Sequence, residues 1–243
     1  MRLSSRTFAV FAAAALPLVL AACSSGSTSS SAGTSPSAKP AKPKDPNAGL
    51  LTGTQLKAAL APASYFPSGF AADASLSRDT GDTYQAPATK SAAKPRCADL
   101  DATSWISLTG VEGVSFAQNS YISKASGELD QEIDVYRGTA STEVMKGLAK
   151  VVAACPSYTD TDTHSKVTVT GASAAGLGDD AYAITLSDST WDNGTTLIAA
   201  RVGTAVVSVL STDGSDNGAA SAKKLTVQVV ASLKAKSDTA KQG

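Results

Sequence analysis

The sequence predicts an α+β domain, an antiparallel β-sheet of about six strands with helices packed on it in two layers. Three observations predict it. Val114 to Ile122 and Leu129 to Tyr136 alternate apolar and polar residues around Ser126-Gly127, the pattern of a β-hairpin. Thr139 to Ala154 and Ala219 to Leu233 place their apolar residues at helical spacing. The links between candidate strands are short and turn-forming, which favours antiparallel neighbours over crossovers.

The chain opens with an export signal. Arg2 and Arg6 precede an uncharged apolar stretch from Phe8 to Leu20, which closes in Leu20-Ala21-Ala22-Cys23. A helix of that length spans about 20 Å, short of the roughly 30 Å of a bilayer core, so cleavage is expected rather than retention as a membrane span. Leu20-Ala21-Ala22-Cys23 resembles the lipobox of bacterial lipoproteins residue for residue. The resemblance implies a signal peptide over 1–22, cleavage before Cys23, and palmitate-type acyl chains on that residue. Two or more such chains anchor a protein stably at the outer face of the cell membrane. The alternative is an ordinary secreted protein with an incidental cysteine at its cleavage site.

Residues 23–48 then form a tether. Ser24 to Ala48 has almost no bulky apolar side chain, so it cannot bury enough surface to offset the entropy of ordering. As a flexible chain it reaches roughly 25 to 30 Å. Lys39, Lys42 and Lys44 give it a basic end, suited either to simple solubility or to contact with anionic lipid or wall polymer.

The folded domain is expected over 49–234. Thr52 and Thr54 cap a first helix running to Leu60, and Pro62 stops it. Pro62, Pro67, Pro87 and Pro95 make the following stretch mostly loop. Cys97 to Leu108 has helical spacing. The hairpin follows, then the helix from Thr139, which ends at Cys155-Pro156. Lys166 to Thr170, Ala181 to Leu186, Thr196 to Arg201 and Ala205 to Leu210 are four more strands, with Asp192-Asn193-Gly194 and Val202-Gly203 as turns. The helix from Ala219 to Leu233 closes the domain and leaves a frayed tail over 235–243.

Charge and composition exclude several functions. The 21 basic and 21 acidic residues cancel, which argues against a nucleic-acid partner held by a basic face. Without Arg2 and Arg6 the mature chain has 19 basic against 21 acidic residues. A single His and three Cys count against most metal-dependent and His-based enzymes, and no metal or cofactor is expected. If lipid occupies Cys23, Cys97 and Cys155 remain as an even pair in an oxidising compartment, where a disulfide is expected in preference to two buried thiols.

The domain resembles the PknH-like extracellular domain family, the sensor domains of bacterial serine/threonine kinases and their free-standing lipoprotein relatives. The likeness lies in Leu50-Leu51, Cys97, the helix from Ala140 to Cys155, Gly176-Leu177-Gly178-Asp179-Asp180-Ala181-Tyr182 and the segment from Arg201 to Val207. It implies an α+β sheet domain with a ligand cleft. Family members commonly carry two disulfides, whereas this chain has cysteines for one, and it has no kinase sequence.

Other motifs are thin. Asp160, Asp162 and His164 alternate as divalent-ion ligands would, but no glycine follows at the calcium-loop position, and a polar loop explains them. Ser91-Ala92-Ala93-Lys94 and Ser215-Asp216-Asn217 match two β-lactamase motifs without the Lys-Thr-Gly that completes the set. Gly176-Leu177-Gly178 lacks the third glycine of a dinucleotide site and reads as a turn. Trp105, Tyr136, Trp191 and Arg201 are large side chains in a small-residue chain, hence candidates for lining a ligand pocket. The expected protein is a cell-surface lipoprotein, attached to the membrane through its lipid. Its non-catalytic domain binds an unknown extracytoplasmic ligand or envelope protein in sensing. A scaffolding lipoprotein without a pocket and a wall-acting enzyme are the alternatives.

Overall fold

A computed structural model describes residues 45–86 and 95–242. The signal segment, Cys23, nearly all of the tether and the Ser91 to Lys94 motif lie outside the described residues. The described residues form one compact unit.

Helix α1 (Gly53–Lys57) begins at a capping box. The Gln55 amide donates to Thr52 Oγ1 at 3.4 Å, and the Thr52 amide donates to Gln55 Oε1 at 2.8 Å. After a single 3₁₀ turn the chain enters β1 (Phe70–Asp79), a strand where a loop was expected. Its residues do not alternate because β1 is an edge strand with much of both faces in water, and its pairing with the next strand is broken between Asp73 and Arg78. Asp73 Oδ1 holds the irregularity by accepting from the Ser75 amide at 2.9 Å and its hydroxyl at 2.6 Å.

The predicted helix from Cys97 to Leu108 is two pieces, a 3₁₀ turn over Cys97–Leu100 and a short α2 (Ile106–Thr109). Strands β2 (Ser115–Ser123) and β3 (Glu128–Val135) form the expected hairpin, and α3 (Ala140–Ala154) follows as expected. A three-residue β4 (Ser157–Thr159) comes next, then β5 (Lys166–Ser173), β6 (Asp180–Ser187), β7 (Thr195–Val202) and β8 (Ala205–Ser211). Helix α4 (Ala219–Gln242) continues past Leu233, so the residues expected to fray are helical to Gln242.

Among the described residues the strands make one open antiparallel sheet of eight, in the order β1-β2-β3-β8-β7-β6-β5-β4, rather than about six. The two additional strands are its two edges.

Helices cover both faces of this sheet, where two layers were expected. Ile198 and Ala200 of β7 join Ala222, Leu225, Val229 and Leu233 of α4 in one cluster. Leu197 and Ala199, on the opposite face, join Val144, Leu148 and Val152 of α3 in the other. Strand parity therefore sends alternate residues of β7 into separate cores. Helix α1 lies on the α4 side, against β1 and β2, and α2 packs beside α3. On the α3 side, no long helix among the described residues lies over the β2–β3 end of the sheet. It is roofed by the irregular segment between Cys97 and Gly113.

Candidate functional site

A cleft of about 170 Å3 lies under that roof. Its floor is the polar parity of the hairpin: Phe116 and Gln118 from β2, Glu132 and Asp134 from β3, and Tyr136 just beyond. Arg78 of β1 stands at one side, and Ser104, Ile106, Glu112 and Gly113 form the other wall. The opposite parity of β3, Leu129, Ile133 and Val135, fills the α4-side core, so the carboxyl side chains are directed to the cleft face by the strand's own period.

The roof is pinned at several points. Cys97 and Cys155 form a disulfide that ties the segment to the C-terminal end of α3. Trp105 is buried, and its indole Nε1 donates to Ser208 Oγ of β8 at 2.6 Å. Thr103 Oγ1 donates to Glu132 Oε2 at 2.6 Å. Gly113 allows the loop to approach the floor, since a Cβ there would stand 3.1 Å from the Val135 carbonyl oxygen and 3.4 Å from Asp134 Oδ1.

Two carboxyl groups sit side by side in this space. Glu132 is 3% exposed and Asp134 9% exposed. Burial first, then the Glu132 charge and a hydrogen bond to it, push the Asp134 carboxyl well above the ordinary carboxylate range. The Tyr136 phenol is pushed up by burial and then by the charges of Asp134 and Glu132. Asp134 Oδ2 is buried without a hydrogen-bond partner among the described residues. Across the floor, Arg78 Nη2 donates to Gln118 Oε1 at 3.1 Å, and Gln118 Nε2 donates to the Leu76 carbonyl at 3.1 Å. The Asp134 and Glu132 carboxyls thus form a neighbouring acid pair. Its natural chemistry is to hold a proton or to accept hydrogen bonds from a ligand.

The four large side chains singled out from the sequence do not converge. Tyr136 lines the cleft, and Trp105 supports its roof from within the core. Trp191 packs against the α3-side cluster away from the cleft. Arg201 reaches across a turn, with Nη1 3.3 Å from Asp179 Oδ2, while the Gly203 amide donates to the same oxygen at 2.7 Å. Asp179 thus orients the turn entering β6.

The remaining motifs are structural. Asp160 Oδ1 accepts from the amides of Asp162 and Thr163 at 2.9 and 2.8 Å and from the Thr163 hydroxyl at 2.9 Å, so it folds its own loop. Among the described residues no three His, Cys, Asp or Glu side chains are placed to hold a metal ion. Asp216 Oδ2 accepts from the Ala220 amide at 2.9 Å at the start of α4, and Asn217 Oδ1 accepts from the Gly194 amide at 2.9 Å.

Sequence reasoning missed Arg78, Gln118, Glu132 and Asp134. Its one available signal was Glu132-Ile133-Asp134-Val135-Tyr136, two acids and a phenol on one parity of a strand. Regular alternation assigns such a parity to solvent unless something is known to cover it.

No protein-family description matches the chain, and no curated protein matches it in sequence. The fold is similar to that in the crystal structure of the extracellular domain of PknH from Mycobacterium tuberculosis, with a TM-score of 0.54. The likeness covers 79% of this chain and 98% of that one at 10% identity. It is a likeness of fold.

Proposed function

We propose that the chain is an extracytoplasmic lipoprotein whose domain binds a ligand, without catalysis, in the cleft between the hairpin β2–β3 and the segment running from Cys97 to Gly113. The observation that carries the binding role is the cleft itself, in which a buried acid pair, with Asp134 Oδ2 unsatisfied among the described residues, faces an opening on the sheet. The extracytoplasmic setting is supported by the Cys97–Cys155 disulfide, by the lipobox ending at Cys23 and by the likeness to an extracellular domain. A filled interior would have favoured a scaffolding role.

Hydrogen–deuterium exchange of the full chain, with and without small molecules extracted from its own envelope, tests the binding role. Protection of residues 103–113 and of the β2–β3 amides is expected; protection confined to α4, or none anywhere, would refute it. The anchor has its own test. Cys23→Ser is expected to move the protein from the membrane to the soluble fraction and to abolish incorporation of labelled palmitate.

A further inference from the structure

The two ends of the mature chain are charged oppositely to its body. Residues 23–48 hold Lys39, Lys42 and Lys44 against Asp45, and residues 234–243 hold Lys234, Lys236 and Lys241 against Asp238. Of the mature chain's 19 basic and 21 acidic residues, six and two lie in these ends, which leaves 13 and 19 for residues 49–233. Topology brings both ends to one end of the sheet. Val135 closes β3 and pairs with Ser115 at the start of β2 and with Ala205 at the start of β8. The chain enters the domain there: Arg137 Nε donates to Asn47 Oδ1 at 2.9 Å, and Ser115 Oγ donates to the Leu51 carbonyl at 2.6 Å. Helix α4 starts at the opposite end, where Gly218 lies against the Ser211 carbonyl, and it packs along β8 and β7. It therefore runs back toward Val202 and Ala205.

Leu233 is the last buried residue of α4. From Lys234 to Thr239 every residue is exposed except half-buried Ser237, so the final stretch, about 13 Å of helix, has left the core. Lys234 and Lys236 make no ion pair or hydrogen bond among the described residues. Residues 1–44 and 87–94, which lie outside them, contain no Asp or Glu, so they hold no carboxylate side chain to neutralise these lysines. At the same end of the sheet, Asp79 and Asp179 are already paired with Lys57 and Arg201 at 3.1 and 3.3 Å. The exposed end of α4 is therefore a basic projection on an acidic body.

We propose that the C-terminal end of α4, from Lys234 onward, rests on the anionic headgroups of the membrane that holds the lipid of Cys23. This rests on the anchor proposed above. Asp45 follows Cys23 by 22 residues, so the basic end is also the end nearest the anchor. Each lysine at an anionic surface strengthens attachment about fivefold, too little for two or three to hold a free domain but enough to orient one that is already anchored. The lipid supplies attachment, and the charge separation supplies direction: the basic end is drawn to the surface and the acidic body is repelled from it. Phe116, Asp134 and Tyr136 lie at this end of the sheet as well, so the β2–β3 cleft is held toward the membrane.

Vesicle partition of the mature chain, residues 23–243 with Cys23→Ser so that no acyl group contributes, tests this. Partition onto vesicles of equal parts phosphatidylglycerol and phosphatidylcholine is expected to exceed that onto phosphatidylcholine alone at least about tenfold in about 50 mM salt, and to lose that excess in about 0.5 M salt. Lys234→Gln with Lys236→Gln is expected to weaken binding to the anionic vesicles at least about fivefold at an unchanged melting temperature. Lys124→Gln with Lys166→Gln removes the same charge at the other end of the sheet, in the β2–β3 turn and at the start of β5, and is expected to change binding less than about twofold. The proposal is overturned if the two pairs weaken binding alike, which is an effect of net charge. It is equally overturned if neutral vesicles bind as well, or if Lys39→Gln, Lys42→Gln and Lys44→Gln abolish binding while the α4 pair has no effect. Tighter binding to soluble polyphosphate than to the vesicles would assign the surface to a wall polyanion and refute the lipid. Because no acyl group is present, any of these failures leaves the anchor standing, and failure of palmitate labelling at Cys23 leaves the partition result standing.

Discussion

Asp134 concentrates the residue-scale physics of this fold, because a carboxyl has been taken out of water beside a second acid. Its folded value is raised above the ordinary 3.8, so above about pH 4 the folded state keeps a proton that the unfolded chain has released. The stability tied to that proton is complete below the unfolded value. It falls as pH rises toward the folded value, by up to about 1.4 kcal/mol per pH unit. Asp73 and Asp79 act in the opposite sense. Ser75 bonds lower the first, and the Gly81 amide with Lys57 lowers the second, so they stabilise above 3.8 and lose that contribution in acid. Both lie near the surface, and their effect is small. Asp134→Asn is therefore expected to flatten the fall in melting temperature as pH rises above about 4, as followed by circular dichroism. An unchanged slope would show that the pair is not the origin. None of this was legible in the sequence, since Asp130-x-Glu132-x-Asp134 has the appearance of a wet strand face until the roof above it is known.

At the scale of elements, legibility followed the local hydrophobic pattern. The hairpin β2–β3 and helix α3 were found within a residue or two because each has one apolar face and one polar face of its proper period. Strand β1 was missed because an irregular edge strand has no buried face to pattern, and β4 because three residues are too few to show a period. The helix expected from Cys97 split because Asp101 to Ser104 leave the helical path before Trp105 enters the core. Turn chemistry was the more specific signal. Gly218 has φ +79° at the start of α4, and a Cβ there would overlap the Ser211 carbonyl oxygen. Gly218→Ala is expected to cost about 2 kcal/mol or more, read as a lower urea midpoint at unchanged slope. Leu148→Ala, which opens a cavity between α3 and the sheet, is expected to cost about 2 to 5 kcal/mol by the same measurement.

For the whole molecule, the covering of both sheet faces was visible in the sequence but was not used. Thr196 to Arg201 and Ala205 to Leu210 are largely unbroken apolar runs, and a strand that does not alternate is one buried on both sides. The disulfide acts at the same scale. It closes a separation of 58 residues, a constraint on the unfolded chain of about 4 kcal/mol, and it fastens the cleft's roof to α3. Cys97→Ser with Cys155→Ser is expected to lower stability by about that amount and to speed amide exchange over 97–113 before the rest of the sheet. The central claim, that the domain holds a ligand in the β2–β3 cleft, is tested most directly by native mass spectrometry of the full chain purified from its own envelope. A retained small-molecule adduct that disappears in Glu132→Gln and Asp134→Asn is the predicted result; an adduct unaffected by both, or consistent absence of any adduct, would contradict it.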